Sequence, residues 1–190
     1  DTLDYRNVKS WVSSIGVIDG DLFVTTPNFL DLYSLDTRSL ITSYEKYGYS
    51  NAYHRNGDLF IAYDDSVLRL RLSDSSQKLV WSTQLRGSIS ELLFLADGIL
   101  ANGEAGVFKL GYDGERKWWG ETEATIDQPT VVGNHVFTLD EYHQLRAFDL
   151  DSGDLLAEKV LTPDGLRLAP IASIDRTLLI GLKPLLAYVL

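Results

Sequence analysis

Three histidines, His54, His135 and His143, are the side chains best suited to hold a transition metal or to move a proton near neutral pH. A structural metal site needs three or four donors converging at about 2 Å, commonly drawn from short fixed intervals of sequence. These histidines stand in different predicted strands or turns, beside carboxylates expected to be solvated, so no metal site is expected. The run Asp149-Leu150-Asp151-Ser152-Gly153-Asp154 opens like a calcium loop but lacks the later ligand positions and the closing glutamate. It reads as a turn. No Ser-His-Asp order, nucleophile elbow or phosphate-cradling glycine loop is present, and the glycines of Gly103-Glu104-Ala105-Gly106 fall in a hairpin, not a strand-to-helix turn. Nucleophilic catalysis is disfavoured, and no catalytic residue and no cofactor are expected.

Charge and composition narrow the partners. Asp and Glu number 27 against 17 Lys and Arg, a net charge of −10, which repels phosphate backbones and anionic lipid surfaces. Nucleic acid is excluded as the expected ligand, and a basic protein surface is favoured. No stretch approaches the roughly 20 apolar residues of a membrane span, so no membrane insertion is expected. With no cysteine there is no disulfide, thiol nucleophile or thiolate metal site. The chain also holds no methionine and begins at Asp1, as a processed, exported protein or an excised domain would. An extracytoplasmic location, periplasmic, secreted or lumenal, is the expectation; the oligomeric state is left open.

The elements that must position any site are set by a repeat. A turn followed by a short apolar strand recurs in Gly20-Asp21-Leu22-Phe23, Gly57-Asp58-Leu59-Phe60, Asp97-Gly98-Ile99-Leu100, Gly133-Asn134-His135-Val136 and Asp175-Arg176-Thr177-Leu178, at steps of 37, 40, 36 and 42 residues. A second marker follows about a dozen residues later, in Leu32-Tyr33-Ser34-Leu35, Leu68-Arg69-Leu70-Arg71, Val107-Phe108-Lys109-Leu110, Leu145-Arg146-Ala147-Phe148 and Leu185-Leu186-Ala187-Tyr188. Its steps are 36, 39, 38 and 40. Two markers sharing a period near 38 define one repeating unit.

Each unit holds four short stretches rich in Val, Ile, Leu, Phe, Tyr and Thr, separated by Gly, Asp, Asn and Ser, the pattern of an antiparallel meander. Such a sheet cannot bury both faces alone and gains a core by stacking on its neighbours, which predicts an all-β β-propeller of five four-stranded blades. The blades are expected at approximately 12–48, 49–87, 88–125, 126–162 and 163–190 plus 1–11, in one domain over 1–190. The chain supplies three strands of the last unit, in 168–174, 177–182 and 185–190, and an N-terminal strand around Val8 to Val12 would complete it, leaving no open edge. A fragment of a seven- or eight-bladed protein is the rival.

The third strand and its turn resemble the quinoprotein (PQQ)-like propeller repeat, Ala-x-Asp-x-x-x-Gly-x-x-x-Trp. The fourth unit carries Ala147, Asp149 and Gly153 in register and has Ala157 in place of the tryptophan; the third keeps Gly114 and Trp118, the first Asp36 with Tyr44 at the end, and the second Trp81. In that family the tryptophan docks between adjacent blades, so the resemblance implies a docking role for Tyr44, Trp81 and Trp118. It also implies an assembly platform, because repeats of this kind without the cofactor site often serve as one. The quinone-dependent dehydrogenases of the family are larger, eight-bladed and carry a calcium site, which this chain is too short to match.

In a propeller the first strand of each blade lines the channel, and aligning the repeats brings Gly16, Tyr53, Glu91 or Leu92, Pro129 and Pro170 to the mouth, flanked by Asn51 and Gln128. Glu91 gives one carboxylate where glycoside hydrolysis normally needs two, Asp127 being the candidate for the second. Trp118 falls on the docking position, which leaves Trp119 as the one ring that could serve as a sugar or partner platform, and packing is the favoured reading for it. The hairpins between second and third strands place Asp64, Asp65, Glu104, Asp140 and Glu141 on one rim, with Glu121, Glu123, Asp127 and Asp164 in loops beside it. Solubilising charge is the plain reading of that rim, and an acidic docking face for a basic partner the functional one. The leading expectation is a non-catalytic protein-interaction scaffold; a sugar- or small-ligand-binding module and a hydrolase at the channel mouth stay open.

Overall fold

The computed structural model describes residues 11–26, 28–45, 50–73, 76–123, 128–161, 171–174, 177–180 and 186–189, the last three segments by their backbone. Every regular element among them is a β-strand. The first sheet is β1 (Ser14–Ile18), β2 (Asp21–Thr25), β3 (Phe29–Ser34) and β4 (Leu40–Glu45), in that order and antiparallel throughout. The second runs β5 (Ser50–Arg55), β6 (Asp58–Tyr63), β7 (Ser66–Ser73) and β8 (Ser76–Gln84). The third is β9 (Ile89–Phe94), β10 (Ile99–Gly103), β11 (Gly106–Leu110) and β12 (Arg116–Glu121), and the fourth β13 (Thr130–Val132), β14 (His135–Leu139), β15 (Gln144–Asp149) and β16 (Leu155–Val160). A three-stranded sheet follows, β17 (Ile171–Ile174), β18 (Thr177–Ile180) and β19 (Leu186–Val189). Residues 1–10, most of the stretch expected to add a further strand to that sheet, lie outside the described residues, and Trp11 and Val12 are exposed and belong to no strand.

Local chemistry explains the hairpins. Asp19-Gly20 and Asn56-Gly57 both take positive φ at both positions (50° and 89°, 51° and 76°), the mirror-image turn whose twist suits a two-residue hairpin. At Gly106 (φ 129°) an added Cβ would stand 2.1 Å from the Gly120 carbonyl oxygen, so only glycine lets β11 start there against β12.

The chain forms two compact units, one ending at Ser90 and the other beginning at Glu91. In the first, Phe23, Leu30 and Leu32 of one sheet meet Ala52, Leu59, Ile61 and Leu70 of the next. The Ser14 hydroxyl accepts from the Ala52 N–H at 3.1 Å and shares a 2.6 Å hydrogen bond with Thr25, tying β1 to β5. In the second, Leu100, Val107 and Trp118 pack on Val136 and Phe148. Each fully buried Leu or Phe in such a seam contributes about 1.5–3 kcal/mol relative to exposure.

The repeat has a structural mark that the sequence markers did not show. In all four four-stranded sheets the ladder between third and fourth strands shifts register at one place: Leu32/Tyr33, Arg69/Leu70, Lys109/Leu110 and Ala147/Phe148. The extra residue lies on the fourth strand each time, at Ile41, Val80, Lys117 and Leu156, all exposed. A bulge twists an outer strand and blunts it as a template for edge-to-edge pairing. The bulge also corrects one alignment. The residues paired immediately before the shift are Thr42, Trp81, Trp118 and Ala157, so Thr42, not Tyr44, shares the tryptophan position. Tyr44 lies two residues on along the same face, packed against the core of the first unit.

Candidate functional site

The end of the second unit that carries its middle hairpins is where acidic and aromatic side chains gather. β14 finishes at Leu139, and Asp140 folds its carboxylate back over the turn. Its Oδ1 accepts the N–H groups of Tyr142 (3.0 Å) and Gln144 (2.9 Å), and its Oδ2 accepts from Arg146 Nη1 at 2.7 Å. Arg146 also donates to Glu158 Oε2 at 2.8 Å and to Gln144 Oε1. Asp140 is thereby 1% exposed, against the expectation that it projects from a rim. The reason is local: an aspartate opening a tight turn satisfies the turn's own N–H groups, and burial there requires a cation, which Arg146 supplies.

With Asp140 drawn inward and His143 at φ 65°, the hairpin turns Tyr142 outward, 61% exposed. Glu123, two residues beyond the end of β12, comes up beside it. Glu123, Tyr142, Gln144 and Val160 line an open groove of about 400 Å³, floored by the cross-strand pair Gln144 and Val160. The charge of Glu141, then that of Glu123, raises the Tyr142 phenol above its ordinary pKa, with burial, a hydrogen bond to Glu141 and the Asp140 charge adding to the effect. The local field is negative.

Each of the other expected site residues belongs to one of the two units. Glu104 is exposed in the β10–β11 turn and Glu141 in the β14–β15 turn. Trp119 is half-buried, stacked on Phe108 (centroids 6.0 Å apart, 8° between planes) with Nε1 donating to the Ala105 carbonyl at 3.0 Å, so it braces its own hairpin and is no free platform. In the first unit Asp64 is exposed with φ 47°, while Asp65 accepts from Gln84 Nε2 (2.8 Å) and Ser66 Oγ (2.9 Å), bonds that hold its carboxyl below its ordinary value. Asn51 donates Nδ2 to the Ser90 carbonyl at 2.7 Å, and Tyr53 is half-buried on β5. Gln128 donates Nε2 to the Leu92 carbonyl at 3.0 Å, beside the half-buried Glu91. Asp127, Asp164 and Pro170 lie outside the described residues.

Trp118 is 8% exposed and bonds across the seam, Nε1 to the Leu150 carbonyl at 3.0 Å; Trp81 is half-buried with its edge on Phe60, 6.0 Å between centroids. Asp149 accepts the N–H groups of Asp151 and Ser152, each at 2.9 Å, so the run resembling a calcium loop is an aspartate-closed turn. Among the described residues no three His, Asp or Glu are grouped to hold a metal ion. Sequence reasoning missed Tyr142 and Gln144; the signal was Asp140 opening a turn with Arg146 two residues into the next strand.

These features define an all-β protein built of consecutive four-stranded antiparallel meanders, with buried seams and an acidic, aromatic hairpin end. No family model matches the chain, and no curated protein matches it. Among solved structures the chain is similar to the computationally designed Ika8 protein, over 94% of this chain and 71% of that one, with a TM-score of 0.57 and 9% sequence identity. At that identity the likeness is one of fold alone.

Proposed function

We propose that this chain is a non-catalytic interaction scaffold of the β-propeller type, its sheets serving as blades in a repeat of the PQQ-like kind, and that it docks a partner protein with a basic surface. The propeller reading rests on the 38-residue period and on sequential meander sheets that bulge at a common position. A reading as part of a larger propeller is compatible with the same repeat.

The observation that carries the docking reading is the pairing of Glu123 with Tyr142 at the hairpin end, where carboxylates flank an exposed ring and a groove. Exposed charges of this sort steer association more than they hold a complex together, and they are screened over about 8 Å at physiological ionic strength. Recovery of the native partner from source extract should therefore fall as salt is raised. Reversing Glu104 and Glu141 to Lys, alongside a separate Asp64→Lys, Asp65→Lys variant in the first unit, should identify the end that matters. Recovery unchanged by either pair of reversals and by salt would sink the acidic-docking reading.

A further inference from the structure

We propose that the groove between Glu123 and Tyr142 is a socket for a single lysine or arginine side chain of the partner, its aliphatic stem lying on Val160 and the Tyr142 ring and its cationic head between Glu123 and Glu141. This deepens the docking reading and rests on it.

Three independent features of the groove fit that occupant. The apolar part is short and open: Tyr142, 61% exposed, sits on a hairpin whose turn is held by Asp140 and Arg146, and Val160, 50% exposed, ends β16 paired with Gln144, so the walls are placed before anything binds. Lysine and arginine bury a methylene stem along apolar surface while the head stays hydrated, a match to a half-apolar, half-acidic trough that a fully apolar or anionic side chain lacks. The described lining carries negative charge: Glu123 is in it, Glu141 adjoins Tyr142, and Arg146, which bonds the floor residue Gln144, is also engaged by Asp140 and Glu158. An exposed tyrosine face adds cation–π attraction, worth roughly a two- to fivefold gain in affinity at such a site. Gln144 presents an amide on the floor, but its Oε1 is held by Arg146, so the polar recognition falls to the two glutamates.

The test uses the capped peptide acetyl-Gly-Gly-Lys-Gly-Gly-amide, its arginine counterpart and its norleucine counterpart, titrated into the full chain and followed by the NMR resonances of the Tyr142 ring. The lysine and arginine peptides should shift those resonances, and the norleucine peptide should not. Tyr142→Ala should weaken binding about two- to fivefold, read at the neighbouring Val160 methyls, and Glu123→Gln should weaken it further when salt is low. Glu104→Gln, outside the groove, should leave it unchanged. A norleucine peptide that shifts the ring equally, or a lysine peptide that binds Tyr142→Ala as well as the parent chain, overturns the socket. If the lysine peptide fails while charge reversal still weakens partner recovery, the socket falls and the scaffold reading stands. If the peptide binds as described while recovery ignores charge, the socket stands without the scaffold.

Discussion

The indole Nε1 of Trp118 donates to the carbonyl oxygen of Leu150 across 3.0 Å, fastening β12 of one sheet to the β15–β16 turn of the next. The same ring closes over Gly153, where an added Cβ would stand 2.7 Å from the indole. One side chain thus supplies buried area, a hydrogen bond and the spacing of the seam.

Replacing Trp118 with Ala should cost about 3–5 kcal/mol, because the removed ring leaves a cavity between two sheets that cannot collapse freely. Trp118→Phe should cost less, keeping most of the packing but leaving the Leu150 carbonyl without its donor. Trp81→Ala, at the same register but half-exposed, should cost less than Trp118→Ala. Urea unfolding of the three variants checks the ranking; equal stability for Trp118→Ala and the parent would show that the ring does not hold the seam.

Gly120 faces the Phe148 ring, and a Cβ there would meet ring carbons at 2.8 to 3.0 Å in a seam where Phe148 is 2% exposed. Gly120→Ala should destabilise by about 1–3 kcal/mol through overpacking. A Cβ added at Gly133 would meet no heavy atom within 4 Å, and the only constraint there is a φ of 57°, so Gly133→Asn should be tolerated. Thermal melts that rank the two the other way would contradict the seam geometry.

Asp58 is 1% exposed on β6 and accepts from Arg69 Nε at 2.8 Å and from Arg71 Nε at 2.8 Å. Burial raises its pKa, but the hydrogen bonds from Arg71 and Arg69, with both charges, outweigh burial and hold it below its ordinary value. A depressed folded pKa means a contribution to stability fully present above the unfolded value near ~3.9 and lost as pH falls through the lower folded value. Asp58→Asn should lower stability at pH 7 by about 1.5–3 kcal/mol, because charge-assisted hydrogen bonds are lost while Arg69 and Arg71, 23% and 58% exposed, stay partly hydrated, and it should flatten the acid limb of the stability curve. Denaturant titrations from pH 7 to pH 2 check both; an acid limb as steep as the parent's would remove Asp58 from the account.

If the sheets close into a ring with the N-terminal segment completing the last one, deleting residues 1–12 should expose a sheet edge and bring aggregation or loss of cooperative unfolding. Sedimentation and calorimetry of the truncated chain decide it, and a monomer of unchanged stability would refute the ring.

The sequence by itself determined the strands, because short stretches rich in Val, Ile, Leu, Phe, Tyr and Thr, bounded by Gly, Asp and Asn turns, act over a few residues. It also determined the sheet as a meander, since the hairpins at Asp64-Asp65, Gly103–Gly106 and Asp140–His143 need only short-range chemistry. What only the tertiary structure decided depends on register and on neighbours distant in sequence. The bulge, a one-residue offset between strands, moved the tryptophan position of the first sheet from Tyr44 to Thr42. The rim was misread at Asp140, because a count of carboxylates per hairpin does not reveal which one meets an arginine and turns inward. The exposure of Trp119 and of Tyr142 was decided in the same way. Trp119 found a ring to stack on and a carbonyl to bond within its own sheet, whereas Tyr142, fixed by its turn, faces solvent beside a glutamate arriving from another sheet. Exposure is a property of the assembled surface, and no periodicity along the chain encodes it.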